Sequence, residues 1–173
     1  MTLTSIKTRT FRHPNINDGK KVWELVREID VLDLNSSYYY LILCEYFSNT
    51  CMVAENEGEI VGFVSGFRHP EHHDILFVWQ VAVAKSERGE GLATTLIQKL
   101  LKSDECSDIK AIQTTISPSN KASLALFRKL SEHLGANMVK TLRFSSDAFP
   151  GNEHEAEQTY EISPILGNGK EED

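Results

Sequence analysis

The hydrophobic pattern changes period twice between residues 75 and 101. Residues 75–83 read ILFVWQVAV, apolar and β-branched with polar breaks, which predicts a strand. From Leu92 onward, Leu92, Leu96, Ile97, Leu100 and Leu101 fall on one face at helical spacing. The same two periods run through the rest of the chain. Residues 6–12 are a short strand candidate ended by His13-Pro14. Asn17 or Asp18 caps a predicted helix carrying Val22, Leu25, Val26 and Ile29, and Ser36 or Ser37 caps a second over residues 38–47. Residues 51–55 and 60–68 predict a hairpin around a turn at 56–59. Residues 111–116 predict a strand. Residues 117–134 then lead into a helix with Leu124, Phe127 and either Leu130 or Ser131 on one side, stopped by Gly135. Residues 138–144 and 158–162 predict two last strands around a long polar loop.

The predicted order is β-α-α-β-β-β-α-β-α-β-β. Its three consecutive strands form a meander, which argues against a doubly wound parallel sheet. A chain of 173 residues, 40% hydrophobic and 25% charged, suits one well-cored domain. That domain is expected to span 1–173, with its core over 6–162 and loose ends at 1–5 and 167–173. There is no internal repeat and no linker. No apolar run reaches membrane-spanning length, and the first residues lack the apolar stretch of a secretory signal.

Charge and cysteine count change this picture modestly. Three cysteines (Cys44, Cys51, Cys106) without C-x-x-C spacing point to free thiols in a reducing, cytoplasmic setting. A formal charge of −7 weighs against nucleic acid and suits a cationic small molecule. Much of that acidity lies in residues 153–161 and 170–173, where solvated surface acid is the competing explanation.

The candidate chemistry lies between the predicted strand and helix, in Arg88-Gly89-Glu90-Gly91-Leu92-Ala93. A strand that enters a helix through a glycine-rich turn presents outward N–H groups and the positive end of a helix dipole, an anion site. Gly89 and Gly91 let a phosphate approach the backbone with no Cβ in the way. Thr94 stands where a dinucleotide fingerprint needs its third small residue, and no Gly-Lys-Ser/Thr follows, so neither that fingerprint nor a Walker loop fits. His69, His72, His73 and Asp74 lack zinc-finger or helix-face spacing, and no metal is expected.

The element order and the segment Arg88-Gly-Glu-Gly-Leu-Ala93 resemble the GCN5-related N-acetyltransferase superfamily, and residues 120–127 (NKASLALF) resemble its second motif. The resemblance implies an α/β (α+β) fold with a mixed, mostly antiparallel sheet, a splayed central strand pair and helices on both faces. It also implies acetyl-CoA as cosubstrate. The backbone of Val81, Ala82 and Val83 would meet the pantetheine arm, and residues 88–93 the pyrophosphate. Asn120 and Phe127 would border the cofactor. Val81 N–H is the candidate donor to the oxyanion that forms on the thioester carbonyl. Phe127 stands where many members carry a proton-donating tyrosine. Phe-Val-Trp-Gln stands where many carry a strand glutamate as base. Neither acid nor base therefore transfers by position. Only about one alkyl ammonium in a thousand is neutral at pH 7, so the site must select or generate the free amine.

Three segments resemble, more narrowly, the L-2,4-diaminobutyrate N4-acetyltransferases of ectoine biosynthesis: residues 33–40 (DLNSSYYY), Phe77-Val-Trp-Gln-Val81, and residues 154–160 (HEAEQTY). That resemblance implies a cytoplasmic homodimer acting on a small diamino acid. Asp33 could hold an ammonium, and Glu157 or Glu155 could hold or deprotonate an amine, with His154 as another base candidate. Trp79 and either Tyr38 or Tyr39 could meet the substrate carboxylate. Plain readings compete. Tyr38–Tyr40 suit core or dimer surface, Trp79 suits core, Asp33 suits a helix stop, and some of Glu153, Glu155 and Glu157 suit a solvated face. The alternatives at the level of function are another small-amine N-acetyltransferase and a non-enzymatic acyl-CoA-binding module.

Overall fold

The computed structural model describes residues 8–30, 32–151 and 154–166, with the side chains of Leu142 and Arg143 excepted. The expected loose ends, 1–5 and 167–173, and Glu153 lie outside the described residues. The elements run β1 (Thr10–Arg12), α1 (Gly19–Arg27), α2 (Ser37–Tyr46), β2 (Met52–Asn56), β3 (Glu59–Arg68), β4 (Ile75–Val83), α3 (Leu92–Leu101), β5 (Ala111–Ile116), α4 (Lys121–His133), β6 (Asn137–Phe144) and β7 (Glu157–Ser163). Among the described residues the strands form one sheet in the order β1-β2-β3-β4-β5-β7-β6. Every pairing is antiparallel except β4 with β5.

Helices cover both faces because each strand presents apolar residues alternately to the two sides. On one face, Val22, Leu25, Val26 and Ile29 of the α1 segment and Tyr40, Leu43 and Cys44 of α2 pack on Val53, Phe63 and Ala82. On the other, Leu96, Ile97 and Leu100 of α3 and Phe127 and Leu130 of α4 pack on Ala54, Val64, Leu76 and Ile112. All three cysteines are free and buried, and burial pushes the thiols of Cys44 and Cys51 up to about 12.

Asp18 is the N-cap position of α1, as one of the two expected residues, though its side chain makes no capping bond to that helix. Asn15 opens the short 3-10 turn just before it: its side chain accepts from Asn17 N (3.0 Å), and Asp18 answers by accepting from Asn15 N (2.8 Å). Asp18 also has a second task that capping alone would not reveal. Arg12 donates to both its oxygens (2.7 and 2.9 Å) and to both oxygens of Glu55 (2.9 and 3.1 Å), tying β1, the start of α1 and β2 together. At the second helix Ser36 is the cap, accepting from Tyr39 N.

The feature that positions a site is the parting of β4 and β5. They pair only at Ile75–Ala111, Leu76–Ile112 and Phe77–Gln113. On its other side β4 continues along β3 to Val83, with a register shift that leaves Trp79 unpaired between Val78 and Gln80. A bulge of this kind re-aims a side chain and bends its strand. Trp79 accordingly emerges half-exposed from an otherwise buried stretch.

The Arg12 cluster carries a stability prediction. Burial alone would raise the Asp18 carboxyl, but hydrogen bonds from Arg12 and Asn15 hold it below its ordinary value, and Arg12 likewise lowers Glu55. Folded-state values below the unfolded ones stabilise at neutral pH, and that contribution is lost as pH falls through them. Arg12→Met should cost about 2 kcal/mol at pH 7, read by urea unfolding. The difference from the parent should shrink below about pH 4 as both carboxylates protonate.

Candidate active site

A cleft of about 700 Å³ opens where β4 and β5 part. Its floor is the exposed backbone of β4. Ala84 N donates to Val61 O of β3, and Gln80 N donates to Ser65 Oγ on the same side. Backbone groups alternate sides along a strand, so the N–H groups of Val81 and Val83 face the gap that β5 has left. Ala82 gives only backbone here, its side chain being fully buried in the α1–α2 core.

At the C-terminal end of β4 the predicted turn is present. Gly89 and Gly91 have φ of +80° and +75°, and a Cβ on either would meet nothing within 4 Å. The turn is therefore open toward solvent and bound to a left-handed backbone that disfavours other residues. Gly91 is the N-cap of α3, and the first intrahelical bond is Thr95 N to Gly91 O (3.0 Å), which leaves the N–H groups of Leu92, Ala93 and Thr94 at the open helix end. The Leu92 side chain is buried core. Arg88 is exposed and its Nε reaches Val83 O (3.4 Å). Glu90, an awkward charge in an anion site, is ion-paired with Arg9, whose Nε also donates to the buried Glu87 (2.7 Å). Sequence patterns gave no sign of this pairing, since it joins residues 81 positions apart.

Asn120 is the N-cap of α4, its oxygen accepting from Ser123 N (3.0 Å). The amide end remains the part of this side chain that can donate into the cleft, which Asn120 lines together with the buried ring of Phe127.

The other mouth of the cleft gathers the acidic candidates. Asp33 comes from the loop before α2, and His154, Glu155 and Glu157 from the approach to β7. His154 stacks on Phe149 (3.9 Å, 14° between planes). Its Nδ1 meets Glu155 O at 2.7 Å and its Nε2 lies 3.6 Å from Asp33 Oδ2. The Glu155 carbonyl first and Asp33 second raise its pKa, favouring the imidazolium. Glu155 is engaged elsewhere: it accepts from Ser119 Oγ (2.5 Å) and Ser119 N (3.3 Å). Glu157, half-buried at the first position of β7 near Thr115, has its carboxyl raised by desolvation. A carboxylate so destabilised is the better proton acceptor.

The tyrosines are placed differently from one another. Tyr38 is 69% exposed on α2 and is not part of the cleft wall. Tyr39 packs edge-on against Trp79 (5.1 Å), its hydroxyl buried without a hydrogen-bond partner among the described residues. Trp79 itself lines the cleft. Phe149 and Thr115 escaped the sequence reading. Thr115 had a faint signal as an alternate residue of a predicted strand, and Phe149 had none. Among the described residues no group of three or more His, Cys, Asp or Glu side chains is arranged to hold a metal ion, and no helix is long and apolar enough to cross a membrane.

A mixed sheet that parts two parallel strands beside a glycine-rich helix start defines an acyl-CoA-dependent N-acetyltransferase fold. The chain belongs to the acetyltransferase (GNAT) family, which matches residues 20–131. Among curated relatives, it is 47% identical to an L-2,4-diaminobutyric acid acetyltransferase of Halalkalibacterium halodurans, over 91% of this chain and 83% of the relative. It is 46% identical to that of Marinococcus halophilus, over 93% of each. Among solved structures it is similar to the diaminobutyrate acetyltransferase EctA of Paenibacillus lautus, in complex with L-2,4-diaminobutyric acid and coenzyme A. The TM-score is 0.88 and the identity 43%, over 94% of this chain and 98% of that one.

The geometry at the mouth predicts a titration. Followed by NMR, the His154 ring should titrate above its ordinary value of about 6.5. Asp33→Asn should lower it only part of the way, because the Glu155 carbonyl remains.

Proposed function

We propose that this chain transfers the acetyl group of acetyl-CoA to the 4-amino group of L-2,4-diaminobutyrate, giving N4-acetyl-L-2,4-diaminobutyrate. The observation that carries the reading is the likeness, over nearly the whole of both chains, to a protein solved with that diamino acid and coenzyme A. The cleft suits the reaction independently, with a strand backbone and anion turn at one end and carboxylates at the other.

In this reading the pantetheine arm pairs with Val81 and Val83 in the gap between β4 and β5, and the pyrophosphate rests on the N–H groups of residues 88–93. Asp33 holds an ammonium group of the acceptor. Trp79 walls the pocket and offers its indole N–H toward the carboxylate. The acceptor reacts as its free amine, having given its first proton to solvent. Its nitrogen bonds to the thioester carbon, the developing oxyanion accepts from Val81 N–H, Glu157 takes the proton from the nitrogen made cationic by attack, and the carbon–sulfur bond breaks to release CoA thiolate. A thiol is acidic enough, at about pKa 8.5, that Phe127 in place of a hydroxyl donor is tolerable. The product would enter ectoine synthesis, in the cytoplasm. Exposed Tyr38 and Tyr46 on α2 and Val139 on the edge strand β6 support a homodimer.

Three experiments test the reading. Glu157→Gln should lower kcat by about a hundredfold or more while CoA affinity holds. The parent's activity should rise with pH through the raised Glu157 pKa, and the variant should lose that limb. In a thiol-release assay diaminobutyrate should far outpace polyamines lacking a carboxylate. Equal turnover would leave only a general small-amine acetyltransferase, and CoA binding without amine-dependent thiol release would leave a binding module. For the cofactor end, Gly91→Val should raise the CoA dissociation constant about tenfold or more by calorimetry, and an unchanged value would remove this turn as the cradle.

A further inference from the structure

Gln80 is 5% exposed and lies on the central strand between the bulged Trp79 and Val81. Both ends of its side-chain amide are engaged. Nε2 donates to Asp33 O (2.8 Å), and Oε1 accepts from Tyr40 Oη (3.1 Å). Tyr40 is completely buried, and its oxygen in turn accepts from Asn35 N (3.4 Å). The polarity of this chain admits one solution. A backbone carbonyl cannot donate and a backbone N–H cannot accept, so the amide nitrogen must face Asp33 and its oxygen must face Tyr40. One buried amide thus grips residues 33–35 at both ends, directly and through Tyr40, and fixes them to the strand at the cleft floor.

We propose that Gln80, with Tyr40, is a positioning residue for the acceptor: it holds the segment 33–35 at the cleft mouth so that the Asp33 carboxylate meets the substrate ammonium. The inference rests on the acceptor reading given above. Asp33 needs such a tether because its own side chain is 91% exposed and is gripped by little else. The tether also accounts for the missing strand glutamate. A carboxylate at position 80 has no N–H for the Asp33 carbonyl and, ionised, repels it. At this position an amide can do what the common glutamate cannot, and the proton acceptor must come from another element.

The test is steady-state kinetics with L-2,4-diaminobutyrate and acetyl-CoA, beside calorimetric CoA binding, for Gln80→Glu, Gln80→Leu and Tyr40→Phe. The last removes one oxygen and spares the core packing. All three should raise the acceptor KM by about tenfold, with the CoA dissociation constant within about twofold of the parent. Combined with Asp33→Asn, none should raise KM much further, because the tether acts through Asp33. A merely structural role predicts instead a matched loss of CoA affinity and additive effects with Asp33→Asn, and either result overturns the proposal. An unchanged acceptor KM in Tyr40→Phe and Gln80→Leu, with KM raised in Asp33→Asn, also overturns it while leaving the acceptor reading intact. An unchanged KM in Asp33→Asn overturns the acceptor reading and the proposal with it.

Discussion

The parting of β4 from β5 is the constraint on which the rest depends. Two parallel strands share three residue pairs and then separate, leaving backbone donors in the middle of a sheet with no strand to receive them. A sheet interior tolerates this only where something else meets those groups, since an unmet buried N–H costs about 1–3 kcal/mol. The same divergence gives the cleft its volume and leads β4 straight to the open helix start at Gly91. Past the parting β4 still serves both cores: Val81 and Val83 pack against the one beneath α3 and α4, which also holds Ile116 of β5, and Ala82 lies in the one beneath α1 and α2.

Charge is arranged along this gap with opposite needs at its ends. The cofactor end must take an anion in a protein of net charge −7. It does so with backbone dipoles and with Arg9, which offsets Glu87 and Glu90 at the turn. The acceptor end concentrates carboxylates for a cation, and each has its own restraint: Glu155 by Ser119, Asp33 by His154 and Glu157 by desolvation. Glu157 lines the cleft half-buried, with its carboxyl raised by desolvation.

The local elements were legible because each has a period and a stop. β5 begins and ends at the residues that its alternation predicts, and α3 follows its apolar stripe. The cofactor turn was legible for the same reason, as chemistry that lies within a few consecutive residues. What sequence could not reveal depends on contacts that the fold makes through space. Arg12 binds Asp18 and Glu55 at once. Arg9 with Glu90, Phe149 on His154 and Gln80 with Asp33 join segments through space and leave no periodicity behind. Tyr38–Tyr40 illustrate the limit well. Three identical residues in a row have three fates, exposed surface, packing on Trp79 and a buried link to Gln80, decided by a helical rotation of roughly 100° per residue.

The two departures from the common family pattern, no strand glutamate and no tyrosine at position 127, are linked by the same geometry. A base on β4 would lie against the thioester and could pass its proton across the strand gap. With Gln80 committed to the loop, the proposed base is on β7 at the far side of the gap, where Glu157 is half-buried beside Thr115. In the proposed reaction a proton removed there would be taken away from the departing sulfur, so an acid at position 127 would not be resupplied by the base in the same turnover. Phe127 instead closes that side of the cleft with an apolar, fully packed ring. In the proposed reaction an apolar wall there would strengthen the Val81 N–H as an oxyanion donor, because a hydrogen bond to developing charge gains as the local dielectric falls. The absent donor and the base on another strand would then fit one scheme, in which the leaving thiolate departs as an anion and the proton leaves on the acceptor side.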